Sequence, residues 1–190
     1  MRVIAGQKGG LRLAAPPGRS TRPTSDRARE AIFSMLESLD AIAGATVWDL
    51  FCGSGAMGIE ALSRGAAHAT FVDSARPAIA ATRANLASVG YGPPAATVVQ
   101  AEAVAWACQA AASAPSRPPS LVFADPPYAW DQWGQLLATL APHRPLLVME
   151  TGREQGVAPG WAVVRSRRYG GTVVTLTTPS RYQPDELTGL

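Results

Sequence analysis

From Thr46 to Thr177 the chain alternates short apolar runs with stretches of helical periodicity, and that alternation leaves few folds open to it. Strand candidates are Thr46–Phe51, Ala69–Asp73, Ala96–Gln100, Ser120–Asp125, Leu146–Glu150, Ala162–Ser166 and Val173–Thr177. Helices are expected over Met57–Arg64, Arg76–Ser88 and Trp130–Leu140, the last with Trp133, Leu136, Leu137 and Leu140 on one side. Strand and helix in turn predict an α/β fold with a mostly parallel sheet covered on both faces. Only Arg167-Arg168-Tyr169-Gly170-Gly171 joins the last two strands. That is too short for a parallel crossover, so one of the pair must run antiparallel.

The first 44 residues read differently. Arg2–Ala5 and Gly10–Ala14 flank Gln-Lys-Gly-Gly, the pattern of a hairpin with a glycine turn. After a Pro-rich loop, Thr24 or Ser25 can cap a helix carrying Ala28, Ile32, Met35, Leu36 and Leu39 on one face, with Arg27, Arg29 and Glu30 off it. The expected organisation is a basic hairpin and helix over 1–44, a main domain over 45–180, and a tail over 181–190.

Composition narrows the function. Of 190 residues 47% are hydrophobic, enough for a full core, yet no run of about 18 apolar residues could span a bilayer. The opening Met-Arg-Val-Ile-Ala-Gly-Gln-Lys lacks the apolar stretch of a secretory signal, and Cys52 and Cys108 form neither a disulfide framework nor a zinc cluster. A cytoplasmic protein without a metal site is expected. The net charge of +3 is informative only in its distribution: residues 1–30 carry Arg2, Lys8, Arg12, Arg19, Arg22, Arg27 and Arg29 against Asp26 and Glu30. Arginine matches phosphate oxygens and stacks on bases, so this segment points to a polyanionic partner; a solvated basic face is the plainer alternative.

Asp49-Leu50-Phe51-Cys52-Gly53-Ser54-Gly55-Ala56-Met57-Gly58 places G-x-G-x-x-G at a strand-to-helix turn, where the backbone turns sharply and approaches a ligand. Such a loop also suits a nicotinamide enzyme or a tight packing turn. Asp73, ending the second strand, can accept both ribose hydroxyls of a nucleoside. The wording Asp-Leu-Phe-Cys-Gly-Ser-Gly resembles the cofactor motif of class I S-adenosylmethionine methyltransferases, in which the first acid lies under the methionine part. Glu102 occupies the place where that pattern puts an acceptor for the adenine amino group, usually an aspartate. Asp49, Phe51, Gly53, Ser54, Gly55, Asp73, Glu102 and Ala103 are the candidate cofactor residues.

Asp125-Pro126-Pro127-Tyr128 follows the apolar run Leu121-Val122-Phe123-Ala124. Two successive prolines cannot continue a sheet and fix a stiff turn at the carboxyl end of a strand, where open α/β sheets bind ligands. Such a turn can aim the Asp125 carboxylate and the Pro126 carbonyl at one point, matching the two N–H donors of an exocyclic amino group. The lone pair of that nitrogen is delocalised into the ring; accepting both hydrogens frees it to attack a sulfonium methyl in line. Tyr128 offers a flat face to a base taken out of its stack. His68 and His143 are isolated, and the two cysteines read as packing residues.

Together these segments resemble the bacterial 16S ribosomal RNA guanine-N2 methyltransferases of the RsmD type. The likeness runs through Arg2–Gly6, the stretch Thr21-Arg22-Pro23-Thr24-Ser25-Asp26-Arg27-Ala28-Arg29-Glu30, the glycine loop, Glu60–Ala66, Asp125–Tyr128 and Arg168-Tyr169-Gly170. The resemblance implies a Rossmann-like seven-stranded sheet and S-adenosylmethionine as methyl donor. It implies a monomer acting on 16S rRNA in the 30S subunit or an assembly intermediate, with Arg22, Thr24, Arg27 and Arg29 engaging RNA near the active-site mouth. Rival readings are a DNA adenine or cytosine amino-methyltransferase, a protein-glutamine methyltransferase, and an RNA-binding assembly factor without catalysis.

Overall fold

The structure, a computed structural model, describes residues 1–16, 26–113 and 117–180. Seven strands form one sheet: β1 (Thr46–Leu50), β2 (His68–Asp73), β3 (Ala96–Gln100), β4 (Leu121–Ala124), β5 (Leu146–Thr151), β6 (Trp161–Tyr169) and β7 (Thr172–Pro179). Their order is β3-β2-β1-β4-β5-β7-β6. Strands β1 to β5 are mutually parallel, while β7 runs antiparallel to both β5 and β6. This is the expected mostly parallel α/β sheet with one reversed strand, its reversal made through Gly170-Gly171.

The helices are α1 (Asp26–Glu37), α2 (Ala56–Ser63), α3 (Arg76–Val89), α4 (Ala103–Ala112) and α5 (Trp133–Leu140). Alternation along β1 divides the core. Val47 joins one apolar cluster with Ile32, Phe33, Ile59 and Leu86, while Trp48 and Leu50 join another with Val104, Leu136 and Leu140. Helices α1 to α3 therefore cover one face and α4 and α5 the other. Helix α4 had no clear sequence signal beyond an alanine-rich stretch, and it starts three residues after β3.

The leading segment is a short hairpin. The Leu13 amide donates to the Met1 carbonyl at 3.1 Å, Val3 to Leu11 at 2.9 Å and Gly10 to Val3 at 2.8 Å, with Arg2 opposite Arg12 and a 3-10 turn at Gly6–Lys8 between the arms. The amides of Ile4 and Ala5 donate to the Glu60 carboxylate, at 2.7 and 3.1 Å, which fastens the hairpin to α2. Val3 and Leu13 are buried in the same cluster as Val47 and Phe71. The expected capping residues Thr24 and Ser25 and the tail over 181–190 lie outside the described residues.

Candidate functional site

Between β1 and α2 the backbone takes positive φ at Phe51, Gly53 and Gly55, the last serving as N-cap of α2 at φ 76°. Gly58 is needed for a different reason. A Cβ there would sit 2.3 Å from the Phe71 ring and 3.1 Å from Asp49 Oδ2, so only a bare backbone lets α2 pack this closely on the sheet. The Gly58 amide donates to Asp49 Oδ2 at 2.9 Å. Asp73 accepts from the Gly53 amide at 3.0 Å and the Ala75 amide at 2.9 Å. From α3, the Thr82 hydroxyl donates to the Gly53 carbonyl and the Asn85 amide to the Ser54 carbonyl. The loop is thus fixed from three sides. Cys52 is buried there, its sulfur 3.5 Å from Thr82 Oγ1, a packing position as its sequence context indicated.

Asp49 is 3% exposed, and burial pushes its carboxyl up to about 8, with the charges of Asp73, Asp125 and Glu150 adding to the shift against the Gly58 hydrogen bond. The acids at the ends of β1, β2, β4 and β5 therefore share one electrostatic neighbourhood that a bound cation relieves. Among the described residues no group of three or more His, Cys, Asp or Glu is arranged to hold a metal ion. A carboxyl whose folded pKa is raised contributes its stability fully below the ordinary carboxylate range. It loses that contribution as pH climbs through about 8. Asp49→Asn keeps an acceptor for Gly58 and never ionises. The melting temperature of the wild type is therefore expected to fall relative to that of the variant between pH 5 and pH 9; parallel melting profiles would show that Asp49 is not a buried, titrating acid.

The Asp125–Tyr128 turn leaves β4 at the same end of the sheet. Pro126 is buried, whereas Asp125 and Pro127 are exposed and the Tyr128 ring is 75% exposed. Two of its ring carbons lie 3.0 and 3.1 Å from the point a Cβ on Gly152 would occupy, so the ring rests on bare backbone just past β5. The Trp130 amide closes the turn on the Pro127 carbonyl at 2.8 Å. Its indole meets Phe51 edge-on at 5.3 Å and Trp133 at 4.8 Å. This aromatic row ties the proline turn to the glycine loop and was not foreseen. The available signal was the Trp130–Trp133 spacing, one helical turn, which the sequence reading absorbed into a longer α5.

Glu102 is the N-cap of α4, its carboxylate accepting from the amides of Val104 at 3.2 Å and Ala105 at 2.7 Å. A carboxylate has about four acceptor positions, so two remain for a ligand. Ala103, buried, is the first residue of that helix, where backbone N–H groups lack an intrahelical acceptor.

Arg29 requires a correction. It is 1% exposed, not off the apolar face, and its guanidinium donates to the Arg2 carbonyl and to Asp26 at 3.1 Å. Burial lowers its pKa while Asp26, Glu60 and Glu150 oppose the shift. The residue fastens the chain's first residues to α1 and does not present its charge to a ligand. Arg27 is exposed on that helix; Arg22 and Thr24 lie outside the described residues.

Glu60, fully buried in α2, was also missed as a functional position. Its carboxylate holds Ile4, Ala5 and the Arg64 side chain, and Arg64 reaches on to Glu37 at 2.7 Å. Asn85 accepts from the Ala14 amide and donates to the Ala14 carbonyl as well as to Ser54. One buried side chain thus links the leading segment to the glycine loop.

A family model described as Conserved hypothetical protein 95 matches residues 1–178. The Bacillus subtilis protein YlbH is 50% identical over 86 residues, 45% of this chain and 46% of its own length. Ribosomal RNA small subunit methyltransferase D of Escherichia coli is 39% identical over 128 residues, 67% of this chain and 60% of its own. The chain thus spans about half to three-fifths of the length of these curated relatives. The solved structure of yhhF from Escherichia coli superposes with a TM-score of 0.80 at 31% identity, covering 96% of this chain and 99% of that one.

Proposed function

Because the chain belongs to the Conserved hypothetical protein 95 family, that of the RsmD-type methyltransferases, we propose that it transfers a methyl group from S-adenosylmethionine to the exocyclic N2 of a guanine in 16S ribosomal RNA. The observation that carries this reading is the convergence of Asp49, Asp73 and Asp125 at the carboxyl ends of β1, β2 and β4, with an exposed tyrosine ring beside the third.

The cofactor supplies an electrophilic sulfonium methyl and carries positive charge into a pocket whose acids repel one another. Asp73 has acceptor capacity left for ribose hydroxyls, and Glu102 with the Ala103 amide provides an acceptor and a donor for the adenine edge. Asp49, beneath the glycine loop, favours a cationic amino-acid end. On the substrate side the Asp125 carboxylate and the Pro126 carbonyl accept the two amino hydrogens of guanine, drawing the nitrogen toward tetrahedral geometry, and Asp125 receives the proton released after transfer. Tyr128, held on the Gly152 backbone, stacks on the base. Phe51, Trp130 and Trp133 keep the two loops in fixed relation, supplying the orientation on which a displacement depends. Arg27, with Arg22 and Thr24 of the preceding segment, meets RNA phosphates at the mouth.

Purified protein given methyl-labelled S-adenosylmethionine and 30S particles from a strain lacking the modification is expected to label one guanine as N2-methylguanine. Label confined to DNA, or no transfer to any RNA despite cofactor binding, would refute the assignment.

A further inference from the structure

We propose that the outer end of β6 forms a groove for the phosphodiester backbone of the RNA strand flanking the target base, with Arg167 and Arg168 as its phosphate ligands. The inference rests on the RNA-methyltransferase reading above and extends it to a surface far in sequence from the basic leading segment.

Strand β6 is an edge of the sheet. The register decides where its charges lie. Thr151 of β5 pairs with Val173 of β7, which pairs with Arg168; Glu150 pairs with Val174, which pairs with Arg167. Both arginines therefore stand on the rows holding the last two residues of β5, at the end of the sheet where Asp125 leaves β4. Adjacent strands are about 4.8 Å apart, so three steps from β4 across β5 and β7 to β6 span about 14 Å. An open concavity of about 360 Å³ lies at this place, lined by Ser166, Arg168, Val173 and Thr175 with Arg167 and Glu154 among the other residues. It begins close to the base site, because Glu154 follows Gly152, on which Tyr128 rests, by two residues.

Both arginines are exposed. The ion pairs among the described residues involve Arg29 and Arg64 on the α1 and α2 side, and none engages β6. Charged residues often serve only to keep an edge strand from pairing with another chain. That purpose would place them along the exposed apolar part of the strand. Here the arginine next to Val163 and Val164, which are 50% and 40% exposed, is Arg165, whose guanidinium donates to Ser38 at 2.8 Å, whereas Arg167 and Arg168 stand on the rows nearer the base site. A flipped nucleotide must be held by its neighbours, and guanidinium forks matched to phosphate do this without reading sequence.

The test is RNA association and turnover of Arg167→Ala/Arg168→Ala, with Arg83→Ala on α3 as a control. The double variant is expected to bind 30S particles about tenfold more weakly near 0.1 M salt, with a log K against log salt slope flatter by about 1.4 for two single-strand phosphates. KM for RNA should rise with kcat and S-adenosylmethionine affinity unchanged, and the control should match wild type. Glu154→Gln, which removes an acid from the phosphate path, should tighten binding. Unchanged RNA affinity and salt slope in the double variant, while wild type methylates RNA normally, would overturn the groove and leave the activity standing. Weaker binding by Glu154→Gln would also overturn it, since that is the signature of a basic partner rather than RNA. Absence of methyl transfer by wild type would instead refute the enzymatic reading.

Discussion

Asp125→Ala is expected to lower methyl transfer by at least about 100-fold and toward 1,000-fold while leaving S-adenosylmethionine affinity nearly intact. Asp125 is exposed at the mouth, whereas the cofactor residues Asp49 and Asp73 are 3% and 6% exposed behind it. Its carboxylate is assigned to the substrate nitrogen, and an acceptor used mainly as the transition state forms lowers kcat when lost, not ground-state binding. Single-turnover transfer and cofactor titration by calorimetry separate the two. Parallel loss of both would mean that Asp125 holds the cofactor. Asp125→Asn resolves its role further. Its carboxamide oxygen still accepts one amino hydrogen, but the group takes up no proton. Activity close to wild type in the Asn variant would make Asp125 an acceptor and orienting group only. A loss equal to that of Ala would make it the group that takes the proton.

Those elements whose signal is local were readable from the chain. Strands β1 to β5 are short apolar runs next to turn residues, and β3 agrees with expectation at both ends. The glycine loop and the proline turn were readable for the same reason: their backbone demands are met by glycine and proline, with Phe51 at φ 60° the exception that the chain does not announce. The direction of β7 followed from the length of its connection to β6. The misreadings share another cause. Arg29 was grouped with a basic surface because a count of charges carries no information on burial, and its acceptors, Arg2 and Asp26, appear only once the leading segment folds back on α1. The N-terminal hairpin was readable from its glycine turn, but nothing in Arg2–Ala5 announces that two of its amides are taken by a glutamate in α2. Strand β6 is longer than its apolar run because polar residues at an edge satisfy the ladder as well as apolar ones, and a register shift between Val163 and Arg165 breaks the alternation. The roles of Gly152 and Trp130 depend on how loops from β4 and β5 meet, which periodicity does not encode.

Glu60→Ala is expected to destabilise the protein by about 3 to 5 kcal/mol, a drop in melting temperature on the order of 10 °C. Glu60 is fully buried, and each of its oxygens is occupied: Oε1 by Arg64 Nε at 2.7 Å and the Ala5 amide, Oε2 by the Ile4 amide at 2.7 Å. Truncation leaves two backbone N–H groups without their acceptor, and Arg64 keeps only the half-exposed Glu37. Glu60→Gln preserves one strong acceptor but loses the charge facing Arg64 and Arg29, so its melting temperature should fall between the two. The functional consequence follows from what the carboxylate holds. Without it, Ile4 and Ala5 lose their acceptors on α2, and residues 1–16 stay tied through Ser63 to Lys8 and Ala5, through Arg29 to Arg2 and through Asn85 to Ala14, a looser attachment. Limited proteolysis should then cut within residues 1–16 below the global melting temperature. RNA affinity should fall more than cofactor affinity, because the glycine loop keeps its ties to Asp73 and Thr82. A melting temperature within about 2 °C of wild type, with the leading segment still protected, would show that the buried glutamate does not fasten it.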